Sequence, residues 1–496
     1  MASLKQRTVS GVKWQVLNKV TQKVISVASF AVLARILEPS VFGLFALGFV
    51  AIDGFHILKS FGFDSALIQR KEDIKEAADT AYVIVQAQGI LLFGVCFLIA
   101  PIATQFFKNP QIESVIRALG VIFIFSSFSK IPTTLLAKTM RFNLISIIDL
   151  AGSIINSLCA IGFAIISPTV WSLVWAYVIK QITVSIMSYF ASGYRFGFHF
   201  NAKIAKELFG YGKFVVGLSV LSYVWGNLDN IVVGKILGVT LLGYYALSAN
   251  IGNFINTHFM QALSGVMFPA YSSIQHDRAE VTRVYLKTTK FVSLISVPFS
   301  VALIFLAKEL VLAMYGARWL EIVPLIRILG TMQLVVPILI CSGSVFLGCG
   351  KPQFNYRIIL WGLIIKIPCL IFFTSKWGLM GTVSTDVVTL LITSPIYIFF
   401  VRKIVSFKFL DFLKQFLPSI YCSLVMALVI QVVRMILSDY PLPIIFGRNT
   451  LGLLMLILSG FAAYFIAIFF IDRPSLREAV KLLLNRYSKG MNVSRA

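Results

Sequence analysis

The sequence predicts an all-α polytopic membrane protein of about fourteen transmembrane helices, arranged as two pseudo-symmetric six-helix bundles plus two C-terminal helices. Composition is the first observation behind this prediction. Of the 496 residues, 58% are hydrophobic and 13% are charged, whereas a soluble domain is about half apolar and about a quarter charged. The second is a series of apolar stretches of about 20 residues or more, the length at which a helix crosses a bilayer. The third is an internal repeat at a spacing of 200 residues.

The candidate spans are long enough to be helices rather than the short alternating strands of a membrane barrel. They cover residues 9–35, 41–60, 80–106, 113–136, 143–167, 170–191, 207–235, 240–268, 286–307, 322–348, 354–374, 378–401, 415–436 and 449–471. Six of them precede the second copy of the repeat, so both copies enter the membrane in the same direction. We therefore predict an N-terminal six-helix lobe at 1–200, a C-terminal six-helix lobe at 201–405, and two additional helices with a basic cytoplasmic tail at 406–496.

Positive charge is concentrated on one side of the predicted membrane. The net charge is +24, and most of the 44 Lys and Arg residues fall in the two tails and in alternate loops on the side of the N-terminus. The positive-inside rule then predicts that both termini are cytoplasmic. Because the surplus charge follows topology and no basic soluble domain is present, we predict attraction to anionic lipid and no nucleic-acid partner.

The repeat carries polar residues into two equivalent spans. The first set is Lys19, Gln22, Lys23, Ser26 and Ser29, and its partners 200 residues later are Ser219, Ser222, Tyr223, Gly226 and Asp229. These positions run i, i+3, i+4, i+7 and i+10, so on a helix each set makes one face. Two polar faces in so hydrophobic a chain indicate a cavity between related halves, which is the layout of a transporter.

Lysines within the spans are candidates for a binding site, because a central Lys costs about 2.5 to 3.5 kcal/mol to insert and usually faces protein or water. Lys19 and Lys23 lie one turn apart, and two ammonium groups on one face suit a diphosphate. Alternatively, both snorkel to the cytoplasmic edge. Lys180, next to Gln181, is too deep to snorkel easily, so we expect it to face the same cavity. Lys366 has a similar depth in a less polar context.

Acidic residues within the spans predict coupling to a cation or proton. Asp229, followed by Asn230, continues the second polar face and either binds a coupling ion or pairs with a lysine across the cavity. Asp53 and His56 are three residues apart and form either a proton-sensitive pair or a helix-packing pair. Asp149 lies near the cytoplasmic side, where no transport role is expected.

The sequence argues against an enzyme. There are four histidines, and none is arranged with Cys or carboxylates at the spacing of a metal site. No phosphate-binding glycine loop ending in Lys-Ser or Lys-Thr occurs, so direct use of ATP is not expected. A membrane polymerase or ligase would need a large outer loop with clustered Arg, His or acidic residues, and no connection on that side offers one. We predict a protein that is not an enzyme and needs no cofactor or metal.

One string of residues resembles a known family. It comprises Leu33-Ala34-Arg35, Leu37, Pro39, Phe42-Gly43, Gly62 and Ala66-Leu67-Ile68-Gln69. The string resembles the polysaccharide exporters of the multidrug/oligosaccharidyl-lipid/polysaccharide (MOP) superfamily, and most of all their Wzx-type, colanic-acid-exporter branch. Lys138, Arg141 and Phe142 are similar to the cytoplasmic loop of that branch.

The resemblance implies two six-helix bundles that form a V around a central cavity. It also implies a flippase that moves an oligosaccharide on undecaprenyl diphosphate from the cytoplasmic to the outer leaflet of the bacterial inner membrane. Such flippases work by alternating access and serve the export of surface polysaccharide, such as the O-antigen of lipopolysaccharide. The family relies on cavity-facing cationic residues, a role that Lys19, Lys23 and Lys180 match here.

These arguments define one set of candidate residues. The predicted substrate-binding residues are Lys19, Lys23, Lys180, Gln22, Ser26, Ser219, Ser222, Tyr223 and Asn230, and the predicted ion-coupling residues are Asp229 and Asp53. The predicted partners are the lipid-linked oligosaccharide, the bilayer and other polysaccharide-assembly membrane proteins. Two alternatives stay open, namely a cation-coupled small-molecule (multidrug) exporter of the same superfamily and a non-enzymatic scaffold of a glycan-assembly complex.

Overall fold

The computed structural model describes residues 4–59, 67–68, 70, 72–197, 199–253, 261–439 and 448–474. Within these ranges the regular elements are helices, which confirms the predicted all-α fold class. The chain forms two compact units, Met1–Ala246 and Leu247–Ala496. The first unit extends past residue 200 because the helix that follows packs against the helix at 39–59. The lobe boundaries drawn from the repeat stay a prediction.

The helices follow the predicted spans closely. The first unit contains α1 (Leu4–Ile36), α2 (Pro39–Lys59), α3 (Ile74–Phe107), α4 (Gln111–Lys138), α5 (Phe142–Ile166), α6 (Val170–Ser192) and α7 (Ala202–Ile236), and α8 (Val239–Gly252) crosses into the second. The second unit continues with α9 (Gln261–Ile274), α10 (Arg278–Met314), a 3-10 helix (Ala317–Ile322), α11 (Val323–Met332), α12 (Val336–Gly348), α13 (Pro352–Arg402), α14 (Phe409–Lys414), α15 (Leu417–Asp439) and α16 (Arg448–Ile471).

Many of these helices have the length and composition of membrane spans. Among the described residues, eight helices are long and apolar enough to cross a bilayer, or up to nine if a bent pair counts as one span. The chain is therefore a multi-pass membrane protein. The total of about fourteen spans stays a prediction.

The span predicted at 322–348 is broken rather than continuous. The helical segment from Ala317 to Met332 is bent by 45° from α12. Pro337 lies in the first turn of α12, where its missing amide hydrogen breaks no helical hydrogen bond. At the break, Gln333 Nε2 donates to the carbonyl oxygen of Gly252 at 2.7 Å. This bond satisfies one of the carbonyls left open at the end of α8.

The spans predicted at 354–374 and 378–401 form a hairpin within α13. Gly378 interrupts the helix with φ 57° and ψ −138°, a conformation that glycine adopts without strain. A straight helix of 51 residues would be about 77 Å long, over twice the thickness of the hydrocarbon core. The hydroxyls of Thr374 and Thr382 are 3.0 Å apart across the hairpin. The chain therefore folds back at Gly378, as two separate spans require.

Helices α2 and α8 approach each other at two glycines related by the sequence repeat. A Cβ atom added at Gly43 would lie 1.7 Å from the carbonyl oxygen of Val239, and one added at Gly243 would lie 1.8 Å from that of Pro39. The missing side chains let the two helix backbones touch, as small residues do at helix contacts in membranes. The repeat in the sequence thus corresponds to a direct and reciprocal contact in the fold.

In each unit, a loop docks on the start of a long helix in the same way. After α6, the backbone N–H of Asn201 donates to Thr80 Oγ1 at 3.2 Å, and the ring of Phe196 stacks on Tyr82 with centroids 4.5 Å apart. After α13, the backbone N–H of Ser406 donates to the hydroxyl of a threonine in α10 at 3.1 Å. The two units therefore share this detail as well as their helical composition.

Helices α15 and α16 pack against α10 through an apolar core and two ion pairs. Lys290 Nζ lies 2.8 Å from Asp472 Oδ2, and Arg434 Nε lies 2.8 Å from Glu309 Oε1. Lys290 and Glu309 both belong to α10, and about 28 Å of helix separates them at 1.5 Å per residue. Because the hydrocarbon core is about 30 Å thick, the pairs fit the two opposite faces of the membrane.

We expect alanine at Gly43 or Gly243 to destabilise the protein, because the added methyl group would overlap a backbone carbonyl of the facing helix. Overpacking of this kind costs about 1–3 kcal/mol, and thermal unfolding of the detergent-purified protein measures the loss. Gly162 is the matched control, because a Cβ there meets no atom within 4 Å and alanine favours a helix. Equal unfolding midpoints for Gly43→Ala and Gly162→Ala would contradict the close contact.

Candidate functional site

Helix α1 carries the first predicted polar face. Lys19, about midway along the helix, is exposed, whereas Lys23 and Ser26 are half-buried. Gln22 Nε2 donates to Asn18 Oδ1 at 3.3 Å, so one amide of the face bonds to its neighbour one turn earlier. Because α1 packs against α5, this face lies on a helix adjacent to the one that carries Asp149.

Helix α7 carries the second predicted polar face. Ser222 is exposed, and Tyr223 and Asn230 are half-buried. Asp229 is buried, with 7% of its surface exposed. The side chain of Ser219 lies outside the described part of the chain, so its place on this face stays a prediction.

The α7 face meets α2 around Asp53. Asn227 Nδ2 donates to Asp53 Oδ2 at 3.2 Å, and the hydroxyl of Tyr223 donates to the carbonyl oxygen of Val50 at 2.7 Å. Gly54 makes room for the phenol, because a Cβ there would lie 2.9 Å from its oxygen. Asp53 itself is exposed, so the pair with Asn227 leaves the carboxylate accessible.

Lys180 lies half-buried on α6 beside an aromatic ring. Its Nζ is 5.2 Å from the centre of the Tyr177 ring, which is a cation–π distance. Tyr177 also contacts Phe49 edge to face, with centroids 5.2 Å apart, and lies within electrostatic reach of Asp53. On α5, Asp149 lies within electrostatic reach of Lys180.

These contacts, together with the electrostatic interaction between Asp53 and Tyr177, join five side chains of the first unit into one group. We call Asp53, Tyr177, Lys180, Tyr223 and Asn227 the central polar cluster. It combines a cation, a carboxylate, an amide and two phenols from α2, α6 and α7. Chemically, the ammonium group can hold an anion, while the carboxylate and amide can hydrogen-bond to a neutral polar ligand.

Sequence reasoning found three members of the cluster, Asp53, Lys180 and Tyr223, and missed Tyr177 and Asn227. Asn227 lies four residues after Tyr223, so the two residues share one helix face, and this spacing in the sequence could have identified Asn227. Asp53 was predicted as a partner of His56. The side chain of His56 lies outside the described residues, so that pair stays a prediction. Asp149, for which no transport role was expected, lies beside Lys180.

Lys366 has a different environment from Lys180. Its Nζ lies 2.7 Å from Asp386 Oδ1 across the α13 hairpin, and only 2% of Lys366 is exposed. A buried ammonium group with a carboxylate at this distance has its charge balanced within the second unit. We therefore assign Lys366 to the packing of α13 and place it outside the candidate binding site.

A metal site would be built from His, Cys, Asp and Glu side chains among the residues that the structure describes. Within those residues, no group of three or more His, Cys, Asp or Glu side chains is arranged to hold a metal ion. The candidate site is therefore built from the lysines, amides, hydroxyls and single carboxylates named above.

The chain is a multi-pass helical protein that forms two compact units, and helices of the first unit bring charged and amide side chains together. This architecture is that of a membrane transporter. The family described as "Polysaccharide biosynthesis protein" matches residues 32–324, more than half of the chain. The chain belongs to this family.

Individual relatives agree with this membership. The lipopolysaccharide biosynthesis protein WzxC of Escherichia coli (strain K12) is 24% identical over 426 residues, which cover 85% of this chain and 86% of WzxC. The structure of the lipid II flippase MurJ in an inward closed conformation matches with a TM-score of 0.73 and 16% identity, covering 94% of this chain and 99% of MurJ.

A second solved structure extends the match to the wider superfamily. An inward-facing multidrug resistance MATE family transporter of the MOP superfamily has a TM-score of 0.64 at 15% identity, covering 78% of this chain and 97% of the transporter. At such identities these structures establish the fold alone. The family match and the sequence relatives confirm the resemblance to polysaccharide exporters, and the solved structures show that the fold is shared with MurJ and with a MATE transporter.

Removing one partner of the Lys366–Asp386 pair should destabilise the protein by about 3–5 kcal/mol, because an uncompensated charge would stay buried. Thermal unfolding of Lys366→Met and of Asp386→Asn measures this, and the double variant Lys366→Met/Asp386→Leu should recover most of the loss. Lys376→Met, an exposed lysine of the same helix, is the control and should change stability by no more than about 0.5 kcal/mol. Single variants as stable as the control would show that the pair is not a structural element.

Proposed function

We propose that the protein is a flippase that turns an oligosaccharide carried on undecaprenyl diphosphate from the cytoplasmic to the outer leaflet of a bacterial inner membrane, for export of a surface polysaccharide. The observation that carries the proposal is Lys180, the one charged residue of α6, which lies midway along the helix beside Tyr177. Membership of the polysaccharide biosynthesis family and the fold shared with MurJ support it. The distribution of Lys and Arg supports cytoplasmic termini.

A diphosphate needs help to cross a membrane because its charge is poorly tolerated in hydrocarbon. Burying an isolated ion in a medium of low dielectric constant costs on the order of tens of kcal/mol. An ammonium group in a hydrated cavity offsets that cost, and its three donors suit several phosphate oxygens without a fixed planar geometry. Lys19 and Lys23 add two such groups from α1, while the lipid tail stays in the bilayer.

The oligosaccharide needs a polar path beside the diphosphate. Gln22 and Ser26 on α1 offer amide and hydroxyl groups for this path, and Ser222 and Asn230 on α7 offer the same chemistry from the equivalent helix of the repeat. Tyr223 uses its hydroxyl to hold α7 against α2, so in this proposal it positions the path as well as lining it. We assign Ser219 to the same path by its place in the repeat.

Alternating access would expose this path to each side of the membrane in turn. A potential that is negative inside favours outward movement of a bare anion by about 2.3 kcal/mol per charge per 100 mV, and opposes movement of a complex whose lysines over-neutralise the diphosphate. The net charge that moves with the cargo therefore decides the direction of the effect. We assign coupling to a cation or proton to Asp229, the buried carboxylate of α7.

The second candidate function is cation-coupled export of a small molecule. One observation favours it, which is that the exposed carboxylate of Asp53 lies within electrostatic reach of the aromatic Tyr177, a pairing suited to a cationic ligand. The lysines on α1 and α6 favour an anionic cargo instead. Competition between a lipid-linked diphosphate and a lipophilic cation for the purified protein distinguishes the two functions.

Removing the cationic groups should slow movement of the lipid-linked sugar between the leaflets. In vesicles with a labelled undecaprenyl-diphosphate oligosaccharide, we expect Lys180→Ala and the double variant Lys19→Ala/Lys23→Ala to slow transfer between leaflets about tenfold or more, because a charge-assisted hydrogen bond contributes about 1.5–3 kcal/mol. Lys75→Ala, an exposed lysine at the start of α3, is the control. Transfer at the wild-type rate in both cationic variants would refute the assignment of the phosphate site.

If Asp229 couples transport to an ion, replacing it should abolish the response of flux to the ion gradient. Asp229→Asn keeps the size of the side chain and removes the charge, so flux in vesicles should stop responding to a proton or sodium gradient while binding of the lipid persists. Flux measured over a series of gradients and membrane potentials tests this. An unchanged response in Asp229→Asn would remove the residue from the mechanism.

A further inference from the structure

One end of the central polar cluster presents hydrogen-bond acceptors. Asn227 Nδ2 donates to Asp53 Oδ2 at 3.2 Å and to the backbone carbonyl oxygen of Tyr223 at 3.3 Å. The amide nitrogen is therefore engaged by two partners of the protein, and the polar atoms that can serve a ligand are the oxygens of Asn227 and Asp53, which only accept. A ligand that meets this end must bring hydrogen-bond donors or a positive charge, and an ionised diphosphate brings neither.

We propose that Asp53 and Asn227 form a sugar-binding subsite, in which they accept hydrogen bonds from hydroxyl groups of the sugar attached directly to the diphosphate. The inference rests on the proposed function and adds the residues that recognise the sugar next to the phosphate. A hexose ring offers neighbouring hydroxyl donors, and two adjacent planar acceptors on different helices can bind two of them at once. Such precisely placed polar groups are what give a binding site its specificity.

Tyr177 is close both to Lys180, which would bind the phosphate, and to Asp53, which would bind the sugar. The Nζ of Lys180 lies 5.2 Å from the centre of its ring, and Asp53 is within electrostatic reach of the same side chain. The edge-to-face contact with Phe49 at 5.2 Å restricts the orientation of the ring. An anion held by Lys180 and hydroxyls held by Asp53 would thus be neighbours, as they are in a sugar phosphate.

Tyr223 is the positioning residue of this subsite. Its hydroxyl donates to the carbonyl oxygen of Val50, which lies one turn before Asp53 on α2, and its own backbone carbonyl accepts from Asn227 one turn later on α7. Gly54 leaves the space that the phenol fills. One side chain therefore sets the distance between the two helices that supply the acceptors.

The proposal differs from the ion-coupling role that the sequence predicts for Asp53. A coupling carboxylate acts on every cargo, because it supplies the driving force and not the recognition. A sugar-binding carboxylate acts only on a cargo that carries a sugar. The two roles therefore predict different results for a lipid diphosphate with and without its sugar.

The test measures equilibrium binding to the full-length protein purified in detergent. The probes are undecaprenyl diphosphate alone and undecaprenyl diphosphate bearing one hexose, either glucose or galactose. We expect the wild-type protein to bind at least one hexose-bearing lipid more tightly than the sugar-free lipid. Asp53→Asn should weaken binding of that lipid about tenfold and leave the sugar-free lipid within about twofold, because the amide replaces an acceptor by a donor at one site only.

Three further variants make the outcome decisive. Asn227→Ala should show the same selective loss, Lys180→Ala should weaken both lipids, and Asp411→Asn, the same change at a partly exposed acid of α14, should alter neither. Unchanged binding of the sugar-free lipid also reports that the Asp53, Asn227 and Asp411 variants are folded. Equal losses for both lipids, no loss for either, or wild-type binding that ignores the hexose would overturn the subsite. Wild-type protein that binds neither lipid would refute the proposed function itself.

Discussion

Polar groups within a bilayer must find their partners inside the protein, and this constraint accounts for much of how the chain is built. Lys366 meets it completely, with Asp386 Oδ1 2.7 Å from its ammonium nitrogen across the α13 hairpin. The side-chain nitrogen of Gln333 meets it at the break between α11 and α12 by donating to the carbonyl oxygen of Gly252. In both places the partner comes from a segment distant in sequence, so satisfying one polar group also fixes the packing of two helices.

Lys180 meets the same constraint only in part, and that difference separates a binding group from a packing group. Among the described residues, the groups that act on its charge are the face of the Tyr177 ring and the field of Asp149, neither of which satisfies an ammonium group as a contacting carboxylate does. Asp53 similarly accepts an amide hydrogen from Asn227 and stays exposed. Partial partners offset some of the desolvation cost while leaving hydrogen-bonding capacity for a ligand.

The sequence predicted the helices far better than it predicted their neighbours. The span at 170–191 coincides with α6 because a long apolar stretch in a membrane has few alternatives to a helix. The partner of Lys366 was not predictable, since Asp386 reaches it only through the reversal at Gly378. Asn227 was overlooked because the repeat aligns it with the apolar Val27, although its spacing from Tyr223 would have placed it on the polar face. The local periodicity of the sequence shows which residues share a helix face, whereas the tertiary structure decides what that face contacts.

The two ion pairs that clamp α15 and α16 to α10 tie the protein to a bilayer of particular thickness. Their charges lie about 28 Å apart along α10, so a thicker membrane would draw one pair among the acyl chains or force the surrounding lipid to thin. Such mismatch costs only fractions of a kcal/mol per ångström, yet it accumulates, and tilting of the helices can relieve it only in a bilayer that is too thin. The C-terminal helices therefore make the stability of the second unit sensitive to lipid chain length, whatever cargo the protein carries.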